Sequence, residues 1–236
     1  EELQNQQPLP ALSPKNLQYA LTRLSMRTLG RSADGIRLGL RTGFDSGATL
    51  DYVYRNEARG TLPLGRLIDR NYLDAIGWRG IRIRKAHLQQ AIAFAAQRLR
   101  EAGTPLRILD IAAGHGRYIV DAIKLLPAPP ESVLLRDYHD ANVQAGTALL
   151  AQAGLAHIGK FGTGDAFAES DLANIAPAPT LTIASGIYEL FPDNAQVLSS
   201  LRGIARAPPK GGYLIYTGQP WHPQLEFIAR TLTSHR

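Results

Sequence analysis

The hydrophobic pattern changes character once along the chain, near Gly103. Before that point apolar residues recur at the three-to-four spacing of an amphipathic helix. Leu17, Ala20, Leu21 and Leu24 form one such stripe from Asn16 onward, with Arg23, Arg27 and Arg31 four apart on the flanking face. A second helix is predicted over residues 64–76, ended by Gly77. A third follows the basic stretch "GWRGIRIRK" and runs to about Arg100, with Leu88, Ile92, Ala95 and Leu99 on one face. Residues 35–60, including "RTGFDSGATLDYVYRN", mix turn residues with aromatics and read as irregular. The opening residues, to about Lys15, lack periodicity and read as a linker.

Beyond Gly103 short apolar runs alternate with helix-like stretches. Strands are predicted at 106–111, 133–137, 158–162, 180–185 and 213–217. Helices are predicted at 117–126, 141–153, 170–175 and 195–205, with a last one from 224 to about 233. This alternation calls for right-handed βαβ units and a parallel sheet covered on both faces. The expected organisation is a linker over 1–15, a basic and mainly helical extension or lid over 16–103, and an α/β domain over 104–236.

Composition narrows this picture. With 236 residues, 44% hydrophobic and 19% charged, the chain is of ordinary globular type. The absence of cysteine excludes a disulfide framework and a thiolate metal site. No long apolar run or secretory signal is seen, so a cytoplasmic location is expected. The chain does not begin with Met, as a piece of a longer protein would not. Charge is uneven: residues 1–100 hold 16 Lys/Arg against 8 Asp/Glu, while residues 101–236 hold 10 against 12. A basic front half suits an anionic partner, such as a membrane surface touched from one side. A solvated basic face is the plainer alternative.

Candidate chemistry centres on "RILDIAAGHGRYIV". In an open parallel sheet, ligands bind beyond the carboxyl ends of the strands. Asp110 ends the first strand of the α/β part, and Ala112, Gly114 and Gly116 follow at alternate positions. This is not the G-x-G-x-x-G spacing of a nicotinamide site, and no P-loop lysine follows. An acid at the mouth of such a loop suits a ligand with an ammonium group, ribose hydroxyls and an adenine amine, which together describe S-adenosylmethionine. Asp137, ending the second strand, is placed for the ribose hydroxyls, with Tyr138 beside it. Asp165 follows the third strand and is placed for the adenine amine, with Ala166 or Phe167 against the ring. His115 projects from the turn toward the methionine end, and Ser185 ends the fourth strand among the cofactor-lining positions. The histidines and acids show no metal-ligand spacing, and no metal is expected.

"LDIAAGHGRY" resembles the first motif of class I S-adenosylmethionine-dependent methyltransferases, with Ala112 where a glycine is usual. More narrowly, "LLRDY", "GDAF", "SGIYELFPDN" and the string from Gly211 to Arg236 resemble a bacterial family of methyltransferase domains. The likeness reaches upstream to "YVYRN" and "IDRNYLDAIGWRGIR", covering roughly residues 50–236. The resemblance implies a Rossmann-like doubly wound sheet in the order 3-2-1-4-5, with S-adenosylmethionine as cofactor. It also implies that the chain can be one part of a longer polypeptide carrying an α/β-hydrolase domain. The superfamily sheet ends in a hairpin that is missing here, so the fifth strand is expected at an exposed edge.

Within that fold the loop after the fourth strand lies beside the cofactor. Tyr188 and Glu189 are therefore candidates to orient or deprotonate an acceptor, or else to pack the cofactor and pair with an arginine. His222, held between Trp221 and Pro223, is a candidate base or a histidine bonded into its own turn. The leading expectation is a methyltransferase acting on a small-molecule or lipid-related acceptor. A nucleic-acid methyltransferase is the alternative, though Ser185-Gly186-Ile187-Tyr188 replaces the Asn/Asp-Pro-Pro-Tyr loop used on exocyclic base amines. A catalytically silent interaction module is the third.

Overall fold

Ser13 accepts a hydrogen bond from the Asn16 amide, and Pro14 supplies a preset φ, so the first helix starts there. The computed structural model describes residues 8–191, 193–209, 211–219 and 221–232. Helix α1 spans Pro14–Arg27, so the linker read over 1–15 yields to a helix at its end and otherwise lies partly outside the described residues. A 3-10 turn at Leu29–Ser32 leads into α2 (Asp34–Thr42), α3 (Gly47–Arg55), α4 (Leu62–Leu73) and α5 (Ile76–Glu101).

Two expectations are corrected here. Residues 35–60 are not irregular but largely helical, as α2 and α3. Their glycines weaken the helix signal, yet Gly35 is needed: a Cβ there would lie 2.6 Å from the Tyr72 ring. Nor does Gly77 end a helix, for it sits in the first turn of α5, and "GWRGIRIRK" is helical throughout.

The chain divides into two compact units. One holds the chain up to Ile83 together with the segment from Trp221 onward; the other starts at Arg84. The division falls inside α5, after Ile83, and Leu88, Ile92, Ala95 and Leu99 on the later turns of that helix are buried. In the helical unit Tyr52, Val53 and Leu73 form a core with Leu38, Tyr72, Trp78 and Ile81 packed against it. Its last helix, α10 (Leu225–Thr231), meets α1 through the Lys15–Glu226 ion pair at 2.9 Å. Thr233, where that helix was expected to end, lies outside the described residues.

The second unit is the α/β part. Strands β1 (Arg107–Asp110), β2 (Ser132–Asp137), β3 (Gly159–Thr163), β4 (Leu181–Ala184) and β5 (Tyr213–Tyr216) form one sheet in the order β3-β2-β1-β4-β5. All neighbours are parallel. Helices α6 (Arg117–Ile123), α7 (Asp140–Gln152), α8 (Glu169–Ala173) and α9 (Asn194–Arg206) make the crossovers. Strand β4 is buried at every position, as expected for a sheet covered on both faces. Strand β5 stands at the sheet edge, with Tyr216 64% exposed. The order reverses between β1 and β4, which sets the place where a ligand crevice opens in such sheets. Among the described residues no helix is long and apolar enough to cross a membrane.

Candidate cofactor and active site

The turn after β1 is built around Asp110. Its carboxylate is fully buried, with Oδ1 accepting the Ala112 amide at 3.2 Å and Oδ2 accepting the Tyr118 hydroxyl. Burial pushes its pKa up to about 7, against the lowering effect of those two hydrogen bonds. Both oxygens are thus engaged inside the turn, and the residue's geometry is that of a turn organiser. Gly114 and Gly116 sit at φ 59° and 73°, in the left-handed region that favours glycine. A Cβ on Gly116 would also lie 2.5 Å from Leu135 Cδ1. Ala112 is not among the positive-φ positions, so its methyl group carries no backbone strain. His115 is half-buried between the two glycines.

This turn is tied to the end of β2. The Ala113 amide donates to the Arg136 carbonyl at 2.8 Å, and the Gly114 amide donates to Asp137 Oδ2 at 2.9 Å. Asp137 Oδ1 accepts the His139 amide at 3.0 Å and Asn142 Nδ2 at 2.9 Å. Three donors on a carboxylate with about four acceptor sites leave room on Oδ2 for one more hydroxyl. Tyr138 beside it is 73% exposed. The buried Arg136 pairs with Asp171, under the loop that follows β3. In that loop exposed Asp165 accepts the Phe167 amide through Oδ1 at 2.8 Å, Ala166 is buried, and the Phe167 ring meets Phe191 edge-on at 4.7 Å.

At the end of β4, Ser185 is buried and its hydroxyl has no hydrogen-bond partner among the described residues. Such an atom is costly unless something else satisfies it. Gly186 turns the chain at φ 72°, its amide held by Thr217 Oγ1 at 2.8 Å. The 3-10 turn Tyr188–Leu190 follows. The Tyr188 hydroxyl lies 2.9 Å from Ser200 Oγ, and burial raises its pKa. Glu189 is paired with Arg84 from α5 at 3.0 Å, both side chains largely buried. The structure thus brings Asp110, Ala112, Gly114, His115, Gly116, Asp137, Tyr138, Asp165, Ala166, Phe167, Ser185, Tyr188 and Glu189 into one unit, on its strand ends and the loops after them.

His222 belongs to the helical unit. Its Nδ1 accepts the Gln224 amide at 3.0 Å, and burial lowers its pKa. That hydrogen bond engages the Nδ1 lone pair within the histidine's own turn. Partners that sequence reasoning missed are Tyr118, Asn142, Arg84, Ser200 and Thr217. Among the described residues no group of acids and histidines is arranged to hold a metal ion.

Comparison with known proteins places this geometry in a family. The chain is 52% identical over 229 residues to an uncharacterized protein, YnbC, of Escherichia coli strain K12, covering 97% of this chain and 39% of that one. It therefore spans well under half the length of that relative. Among solved structures it is similar to a Bordetella parapertussis protein described as a possible exported protein, with a TM-score of 0.58 at 18% identity, covering 87% of this chain and 73% of that one. It is more distantly similar to an S-adenosylmethionine-dependent methyltransferase from Geobacter sulfurreducens in complex with S-adenosyl-L-homocysteine, with a TM-score of 0.38 at 16% identity, covering 48% and 41% of the two chains. The sequence model of the family described as "Putative methyltransferase" matches residues 1–236, and the chain belongs to that family.

Proposed function

We propose that the sheet unit binds S-adenosylmethionine at the carboxyl ends of β1 to β4 and serves transfer of its methyl group to a small-molecule or lipid-related acceptor. The observation that carries this reading is the Gly114–Asp137 hydrogen bond, which locks a turn with two positive-φ glycines against a strand-end acid with one acceptor site to spare. A ribose hydroxyl fits that site. Asp165 keeps its second oxygen for an adenine amine, and Ala166 and Phe167 supply an apolar wall. The unpartnered Ser185 hydroxyl offers a further polar contact beside the turn. These donors and acceptors suit an adenosine moiety.

When bound, the cofactor supplies an electrophilic methyl group on a sulfonium. The chain's own part is to position the acceptor and keep the site in shape. Tyr188 is held by Ser200 and stays protonated at neutral pH, so it orients an acceptor through its hydroxyl rather than deprotonating it. Glu189, engaged by Arg84, fixes the loop that carries Tyr188. Asp110 holds the turn from inside.

Calorimetric titration with S-adenosylmethionine and S-adenosylhomocysteine tests the reading. Saturable binding is expected, weakened at least about tenfold in Asp137→Ala through loss of a charged acceptor. Absence of saturable binding by the folded chain, or equal affinity in the variant, overturns it.

A further inference from the structure

The helical unit carries a feature that the cofactor site does not use. A surface cleft of about 270 Å³ is lined by Arg37, Arg41, Arg55 and Arg59, together with Asp34 and Tyr52. Arg37 and Arg41 lie four residues apart on α2, hence on one face of it. Arg55 is the last residue of α3, and Arg59 follows in the connection to α4.

These elements are fixed by one buried carboxylate. Asp69 is fully buried and accepts the Gly35 amide at 2.8 Å, the Arg59 amide at 2.8 Å and the Tyr52 hydroxyl. It joins the start of α2, the middle of α3 and the loop of Arg59 from below. The Tyr52 ring in turn lies 5.5 Å from the Arg55 guanidinium, a cation–π contact that holds that side chain. Burial and the adjacent Asp69 raise the Tyr52 pKa, so its hydroxyl adds no negative charge to the cleft.

The guanidinium groups are only partly compensated. Arg37 pairs with Asp34 at 2.7 Å, Arg55 with Asp51 at 3.2 Å, and Arg59 with Glu57. Each guanidinium has five donors in a fixed fork, so most remain for another acceptor. Arg41 is exposed and pairs with no acid among the described residues. Four guanidinium groups set against the carboxylates of Asp34, Asp51 and Glu57 leave the cleft one net positive charge, which an anion seated between the forks would balance. A phosphate monoester, with up to two charges and three terminal oxygens, can engage several forks at once, whereas a carboxylate offers one edge.

We propose that this cleft recognises a phosphate monoester group. The inference stands apart from the cofactor reading, since none of its residues belongs to the sheet unit. The test is calorimetric titration of the whole chain with inorganic phosphate and glycerol phosphate in a buffer low in other anions. Saturable binding is expected, about tenfold weaker in Arg41→Gln through loss of a charge-assisted contact, and unchanged in Lys124→Gln. Arg41 makes no ion pair among the described residues, so its replacement is expected to leave the fold intact, which circular dichroism checks. Vesicles of phosphatidylcholine with and without phosphatidic acid separate the sources. Retention by the phosphatidic acid vesicles in addition to phosphate binding identifies a lipid headgroup; phosphate binding without retention identifies a soluble ester. No saturable binding of phosphate, or equal loss in Arg41→Gln and Lys124→Gln, overturns the proposal.

Discussion

Asp110 shows how a residue can be legible in position while its surroundings are not. An acid at the end of the first strand is visible from the sequence, but its burial and its two partners are not. Tyr118 lies eight residues on, across a turn whose path depends on the left-handed Gly114 and Gly116. The Arg84–Glu189 pair spans 105 residues, a distance over which no local pattern carries information. The burial of Asp110 has a measurable sign. Its pKa rises from 3.8 to about 7, so between those values the folded chain holds the proton more tightly than the unfolded chain does. The stability this group contributes is fully present below about 3.8 and is lost as pH climbs through about 7. Asp110→Asn does not titrate there. Urea midpoints taken at several pH values across this range are expected to fall less steeply in the variant than in the parent chain. An equal slope in both would mean that Asp110 titrates as an ordinary exposed acid.

Elements with strong local periodicity were legible; those that depend on close packing were not. Each predicted strand is found within one or two residues, because short runs bounded by turn signals and alternating with helices have few other uses in a covered parallel sheet. Helices α2 and α3 were missed because their glycines read as turns. Gly39, inside α2, is buried, and a Cβ there would overlap the ring of Phe44, which is itself only 5% exposed. Two effects of Gly39→Ala therefore oppose each other. Helix propensity favours alanine by about 1 kcal/mol. Overpacking against a ring that cannot retreat costs about 1–3 kcal/mol. The expected net result is destabilisation, seen as a lower urea midpoint with unchanged slope. A more stable variant would show that the ring can yield and that glycine is not required for this contact.

At the scale of the whole molecule, the parallel sheet follows from the alternation of strands and helices and its order from the resemblance to class I methyltransferases, whereas the division into units follows from neither. The periodicity of α5 continues without a break from one unit into the other, so the sequence marks no boundary at Ile83. What separates the units is core membership, with Tyr52, Val53 and Leu73 in one and Leu109, Ile111, Ala184 and Ile204 among those in the other. A ligand that binds the folded sheet unit raises its stability by about 2.7 kcal/mol at a hundred times its dissociation constant. Amides in the centre of the sheet exchange only when that unit opens, so they report the gain directly. Leu109, Leu135 and Ile183 lie in β1, β2 and β4 next to the proposed cofactor turn, each buried. Saturating S-adenosylmethionine is expected to slow hydrogen exchange at these three positions by about a hundredfold, the rate equivalent of that stabilisation. In Asp137→Ala the same concentration is expected to give much less protection, because the fraction bound falls with affinity. Protection that is undiminished in the variant would place the ligand away from the β2 strand end and separate the methyltransferase family assignment from this particular site.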